Sequence, residues 1–284
     1  MTLERKHRRP AKQRKDHYLP RGYLRGFIDP IRQELARPLW CMRPHTGQWE
    51  QKSPAQVGYE VGLYDFANDA LDEEHADTTF KFMEDKFPAI RAGLVDNAFQ
   101  NWTEHQEFFC RYMQMIRIRS PLYFQQKKQE LSTQHIWTIA AVDGNKITLD
   151  NTEGRLITPA EVHDHTLSKM RAEFKLGVDW MKEFRWTLRI ADDPASPFIT
   201  AEQPLFLVTS ENPILDAIRR HDTYIFFPLC WQACLVGNRV PWLRETQPIG
   251  QDKLRVFRHL VSVQAKKFLI SPRPIDKALL RQLG

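Results

Sequence analysis

Five ionisable side chains stand where the surrounding sequence is apolar or marked by proline. They are His17 before Tyr18-Leu19-Pro20, Glu84 after Met83, Arg119 before Ser120-Pro121, Glu202 before Gln203-Pro204, and Glu211 before Asn212-Pro213. An unpaired ionisable group on such an element is costly, so His17, Glu84, Arg119 and at least one of Glu202 or Glu211 are expected to meet and satisfy one another. Their chemistry is complementary. A histidine exchanges protons near neutral pH. A carboxylate orients it or holds a metal, and an arginine forks onto a phosphate or a developing anion. Those parts suit phosphodiester cleavage or another phosphate-directed reaction. His17, Glu84, Arg119 and Glu202 are the catalytic candidates, with Glu211 as stand-in for Glu202. Each also has a structural reading. Glu84 lies at the edge of an apolar stripe and can simply pair with an arginine. Arg119 can bind carbonyls freed near Pro121. His17 can brace the helix that Pro20 starts, and both glutamates can belong to tight turns before proline. The spacing is long, so convergence rests on the fold.

The elements that must position these residues are partly visible. Pro20 opens a short helix, with Tyr23, Leu24 and Phe27 on one face. Residues 38–42 read as a strand and Trp49–Lys52 as its return. Ser53-Pro54 starts a helical turn, with serine as N-cap. Phe80, Met83, Phe87, Ile90 and Leu94 recur at three- and four-residue steps, which predicts a long helix. A second long helix is expected over 104–131, kinked at Pro121. Residues 137–149 read as a hairpin turning at Asp143-Gly144-Asn145, an insertion over 136–150. Thr158-Pro159-Ala160-Glu161 is a capping box that opens a helix reaching about Glu183. Strands are expected over 185–190, 198–200, 205–209, 223–229 and 233–237, with closing helices over 252–268 and 275–283. Helices cluster early and strands late. This predicts an α+β fold, its N-terminal helical half packed with a C-terminal mixed or antiparallel sheet. Residues 16–284 are read as one domain.

Charge is concentrated at the start. Within residues 1–15, Arg5, Lys6, Arg8, Arg9, Lys12, Arg14 and Lys15 face a single Glu4, a local charge of +6. The whole chain of 284 residues also carries +6, so the remainder is neutral. A segment so charged and so poor in large apolar groups cannot offset its ordering entropy by burial, which predicts a disordered tail. Its seven cations are candidates for nucleic-acid contact through counterion release, or else form a solvated arm.

Several motifs occur in order: His17-Tyr18-Leu19-Pro20, Tyr23-Leu24 and Phe27, Met83-Glu84, Arg119-Ser120-Pro121, Phe198-Ile199-Thr200-Ala201-Glu202-Gln203-Pro204, and Phe227-Pro228-Leu229. Together they resemble a prokaryotic and phage-borne family catalogued as a domain of unknown function, across most of residues 17–270. The family pattern carries Ser-Asp-Asn-Pro where this chain has Ala201-Glu202-Gln203-Pro204. Ser210-Glu211-Asn212-Pro213 is closer in letters but lies nine residues later. Either copy keeps a carboxylate and lengthens its reach. The resemblance implies no settled activity.

Other classes are excluded or disfavoured. Phosphate loops of the GxxxxGK[ST] type, GxGxxG, HExxH and GxSxG are all missing, which leaves the cofactor unknown. Cys41, Cys110, Cys230 and Cys234 sit within apolar sequence, as expected of buried thiols in a reducing, cytoplasmic setting. Cys230 and Cys234 are read as facing one side of a strand. The spacing of that pair is wrong for a redox or zinc motif, and no metal ligands are assigned there, at His163-Asp164-His165 or at Glu73-Glu74-His75. No apolar run approaches bilayer length, and residues 16–25 hold no signal-peptide core, so neither membrane insertion nor secretion is expected. Two readings remain. One is a nuclease-like, phosphate-directed enzyme on nucleic acid or nucleotide, in defence or mobile-element biology. The other is a non-enzymatic nucleic-acid-binding or adaptor module whose polar cluster holds the fold. An open cleft or a sealed core around the cluster separates them.

Overall fold

The computed structural model describes residues 15–64, 76–97, 99–132, 135–136, 139–143, 146–149, 155–156, 158–193, 195–209, 220–239 and 246–280. The basic segment before Lys15, Glu73-Glu74-His75, Glu211 and the hairpin tip at 144–145 therefore lie outside the described residues. In chain order the elements are β1 (Lys15–His17), α1 (Arg21–Leu24), β2 (Leu39–Met42), β3 (Trp49–Lys52), β4 (Tyr59–Val61), α2 (Ala76–Asp96), α3 (Trp102–Arg119) and α4 (Pro121–Ser132). Next come β5 (His135–Ile136), β6 (Ile139–Asp143), β7 (Lys146–Leu149), β8 (Arg155–Leu156) and α5 (Pro159–Lys182). The last part holds β9 (Arg185–Ala191), β10 (Thr200–Ala201), β11 (Phe206–Val208), β12 (Tyr224–Cys230), β13 (Ala233–Asn238), β14 (Thr246–Ile249), α6 (Gln251–Gln264) and β15 (Leu269–Ser271). The fold is α+β, as expected.

A five-stranded mixed sheet, ordered β11-β12-β13-β9-β14, forms the centre. Its first four strands are antiparallel, and β14 joins β9 in parallel. Side chains alternate between its faces. Ile225, Phe227, Leu229, Leu235 and Leu188 enter the larger core with Tyr23, Phe87, Tyr112 and Met181 from the helices. Cys234 and Val236 point the other way, into a second core closed by Leu254, Phe257 and Val261 of α6. A second sheet, β10-β15-β2-β3, ties residues 39–52 to the end of the chain.

Local rules account for much of the helical half. The Thr158–Glu161 capping box is formed: Thr158 Oγ1 accepts from the Glu161 amide at 3.3 Å, and the Glu161 carboxylate accepts from the Thr158 amide at 3.0 Å. α3 and α5 approach closely where Gly177 lies against Gln114. A Cβ at 177 would fall 2.2 Å from the Gln114 amide nitrogen, which instead donates to the Glu173 carbonyl.

Several expectations need correction. The helix expected over 104–131 is two helices. Ser120, at φ −69° and ψ 142°, is extended, because a residue before proline is driven out of helical conformation. The segment expected to be helical through Phe268 leaves the helix after Gln264, and residues 265–268 lead into β15. Residues 275–283 yield a single 3-10 turn, Lys277–Leu280, among the described residues. Cys230 and Cys234 belong to different strands, with Cys230 opposite Ala233 and Cys234 opposite Pro228. All four cysteines are buried and free. Lys15, assigned to the tail, already pairs with Val61 in β1. The hairpin strands are present, β6 against β7, with Asp143 opposite Lys146.

Candidate functional site

Arg119 is the last residue of α3, and it ends the helix inside the protein with 1% of its surface exposed. A guanidinium there needs every donor directed at a partner. Nη1 donates to the Glu84 carboxylate of α2, and Nη2 to the main-chain carbonyl of His17 in β1. Nε donates to the Tyr64 hydroxyl at 3.2 Å, which in turn donates to the Arg119 carbonyl at 3.0 Å. The Tyr64 amide donates to Asp16 Oδ2 at 3.1 Å. Burial works against the charge, but the Tyr64 oxygen and the Glu84 carboxylate outweigh it, and Arg119 is held above its ordinary pKa. It is a fixed cation clamped between α2, α3 and β1. Glu84 keeps 26% exposure, so the network meets solvent at that end. The His17 ring packs against Tyr59, with centroids 5.6 Å apart.

Glu202 does something different. It is 5% exposed and follows β10. Its carboxylate accepts from three successive amides after α6: Lys266, Lys267 at 3.1 Å and Phe268 at 3.2 Å. The side chain thus fixes the turn that converts α6 into β15, compensating its own burial with backbone donors. The four expected residues therefore do not form one cluster. His17, Glu84 and Arg119 meet, with the histidine contributing its backbone to Arg119, and Glu202 holds a second site. The two sites are joined one residue along, where Gln203 Nε2 donates to Ser120 Oγ at 3.4 Å.

Tyr64 and Asp16 were not anticipated. Asp16 could have been noticed as a carboxylate beside His17. Tyr64 has no periodic or motif signal, since its role depends on two contacts 48 and 55 positions away. Tyr23 is a further polar anchor. Its hydroxyl donates to the Pro228 carbonyl at 2.9 Å and lies 2.8 Å from Thr200 Oγ1, and burial pushes its pKa well above the ordinary value. The short motifs scattered through the sequence thus meet in space.

Two clefts lie beside this framework. One, of about 680 Å³, runs between α4, β4 and the Glu202 turn, lined in part by Glu60, Gln125, Lys128, Gln203, Lys266 and Lys267. The other, of about 540 Å³, holds Lys15, Arg43, Glu50, Lys52 and Tyr59, and shares Lys267 with the first. Lys267 pairs with Glu60, and Lys15 Nζ stands 4.6 Å from the centre of the Tyr59 ring. Among the described residues, no group of three His, Cys, Asp or Glu side chains has metal-binding geometry. His163 and His165 lie two apart on α5.

The family pattern of a protein of unknown function, DUF4238, matches residues 15–273. The chain belongs to that family. Among curated proteins and solved structures, nothing matches it. The DUF4238 match spans β1 to just past β15, and so takes in both polar sites and both clefts. No helix among the described residues of this DUF4238 chain is long and apolar enough to cross a membrane.

Proposed function

We propose that this chain is a nucleic-acid-binding module that holds a phosphate backbone across the two adjoining clefts. The observation that carries the reading is the charge along them. Lys15, Arg43, Lys52, Lys128, Lys266 and Lys267 face Glu50, Glu60 and Glu202, an excess of three cations, two of them on the body beyond residue 15, whose overall charge is zero. Phosphates crossing this surface would release counterions. Tyr59, half-exposed between Lys15 and the cleft, offers a ring on which a base can stack. The basic segment before Lys15, with Arg5, Lys6, Arg8, Arg9, Lys12 and Arg14, adjoins Lys15 in sequence and would add cations to the footprint.

The geometry favours this reading over an enzyme built on His17, Glu84, Arg119 and Glu202. Arg119 is sealed, and the Glu202 carboxylate, although it lines the first cleft, is engaged by three amides, so both are committed to partners within the protein. Anisotropy of labelled single-stranded RNA and DNA tests the proposal. Lys128→Gln with Lys266→Gln should weaken binding at least fivefold while leaving the melting temperature unchanged. Unchanged affinity in that variant would refute the cleft assignment. Cleavage of the oligonucleotide, abolished by His17→Ala, would restore the enzymatic reading.

A further inference from the structure

Where α3 gives way to α4, a hollow of about 50 Å³ opens beside Ser120. Its size is several times the roughly 10–15 Å³ that one water requires, and far below the roughly 300–1,000 Å³ of small-molecule sites. It shares Leu122, Gln203, Leu205 and Leu207 with the cleft of about 680 Å³, and so lies at the edge of that cleft. Its polar lining comes from three elements: Arg117 near the end of α3, Gln126 on α4 and Gln203 after β10. Ser120 caps α4, its Oγ accepting from the Tyr123 amide at 3.2 Å. The Leu122 amide, in the same first turn, has no acceptor within the helix. That turn borders the hollow with the positive end of the α4 dipole.

Among the described lining residues Arg117 is charged and none is acidic. Arg117 Nη1 donates to the neutral amide oxygen of Gln114 at 3.4 Å. The Glu173 carboxylate, whose charge reaches Arg117, is already taken by the Tyr123 hydroxyl and by Lys127, each at 2.8 Å. Burial draws the Arg117 guanidinium below its ordinary pKa in spite of Tyr123 and Glu173. We propose that this hollow seats the terminal phosphate of a strand lying in the cleft, its oxygens held by Arg117, the Gln126 and Gln203 amides and the first turn of α4. The assignment rests on the cleft binding proposed above. An internal phosphodiester carries a sugar on each side, and a hollow of this size has no room for either. A terminal monoester has three free oxygens and a single substituent, so it can enter while its chain stays in the cleft.

Fluorescence anisotropy on the full chain compares one single-stranded sequence carrying a 5′-phosphate, a 3′-phosphate or hydroxyls at both ends. One phosphorylated form should bind at least fivefold more tightly than the hydroxyl form. Arg117→Gln should abolish that difference and leave the affinity for the hydroxyl form unchanged, whereas Arg117→Lys should keep part of it. Gln126→Leu, at a half-buried position of α4, gives a second reading should Arg117→Gln fold poorly, and it should narrow the difference too. Equal affinity for all three forms, with Lys128→Gln and Lys266→Gln together still weakening binding, would overturn the hollow and leave the cleft reading standing. A preference for a phosphorylated end that survives both Arg117→Gln and Gln126→Leu would place that end elsewhere and overturn it as well. No binding of any form would overturn both readings.

Discussion

Arg119 holds the main-chain carbonyl of His17 across 102 positions, and that contact makes no use of the imidazole. The relationship separates two substitutions that would otherwise look alike. Arg119→Met leaves the Glu84 carboxylate and the His17 carbonyl facing a side chain with no donor. Removing one partner of a buried pair costs about 3–5 kcal/mol. His17→Ala keeps the accepting carbonyl and loses a half-buried ring beside Tyr59, so its cost should be nearer 1 kcal/mol. Urea denaturation of the two variants checks this. Equal losses would mean that the imidazole, not the carbonyl, anchors the site.

Glu202 gives the second expectation. Hydrogen bonds to a charged acceptor contribute about 1.5–3 kcal/mol each, though neighbouring bonds to one carboxylate do not add fully. Glu202→Ala should therefore destabilise the chain by about 2–4 kcal/mol. Glu202→Gln, which keeps one acceptor oxygen, should cost less. Hydrogen exchange should localise the change to the amides of Lys266, Lys267 and Phe268. Uniform protection loss without a local change there would show that the turn does not depend on this carboxylate.

The contrast between these two sites explains what was legible in the sequence. The Thr158–Glu161 box, the α2 stripe and the disturbance at Pro121, expected as a kink and found as a break, arise from interactions within four residues, so their signals lie side by side in the chain. Glu202 was recognisable as a carboxylate in unusual surroundings, but its partners are backbone amides 64–66 positions away, and amides carry no sequence signature. β14 was missed for a related reason. It is four residues long, contains Pro248, and exists because β9 offers it a parallel edge. Reading His17, Glu84, Arg119 and one of Glu202 or Glu211 as one cluster assumed side-chain partners throughout. Glu202 is instead met by main-chain amides, and Arg119 by a main-chain carbonyl as well as by Glu84 and Tyr64.

The thiols yield a pH dependence. Burial pushes Cys41 and Cys110 each up to about 12, and raises Cys230 and Cys234 as well. In the unfolded chain these groups ionise near their ordinary value of 9.0. Between about 9 and 12 the folded state therefore binds more protons than the unfolded one, so stability falls as pH rises through that window. Below 9 both states keep their thiol protons and the thiols contribute no slope. A urea midpoint that drops between pH 9 and pH 10.5, and drops less in Cys41→Ser with Cys110→Ala, is expected. At pH 8 an aromatic disulfide reagent should leave the native thiols largely unmodified and titrate all four in guanidinium. Rapid native labelling would contradict their burial.

Gly26 tests how closely α1 and its following turn sit on the sheet. A Cβ at this position would lie 2.9 Å from the Leu229 carbonyl and 2.4 Å from an Arg91 guanidinium nitrogen. The arginine can move, but the carbonyl belongs to β12 and cannot move without disturbing the sheet. The Gly26 carbonyl also accepts from the Trp231 amide at 3.0 Å, so the turn is held on both sides. Overpacking of this kind costs about 1–3 kcal/mol. Gly26→Ala should therefore lower the melting temperature by several degrees. Gly250→Ala, where nothing lies within 4 Å, should not.

Salt dependence separates the tail from the clefts as sources of nucleic-acid affinity. Each phosphate neutralised on a single strand contributes about 0.7 to the slope of log K against log salt. Removing residues 1–14 deletes six cations and Glu4, whereas Lys128→Gln with Lys266→Gln deletes two cations from the clefts. If phosphates lie across both, the truncated chain should retain binding with a shallower slope, and the cleft variant should lose a further step of roughly 1.4 in slope at most. The two losses should add, because the groups contact different phosphates of one strand. A truncated chain with no residual affinity would assign all binding to the tail, and the clefts would then need another ligand. A truncated chain with an unchanged slope would place every phosphate in the clefts and leave the basic segment without a role in binding.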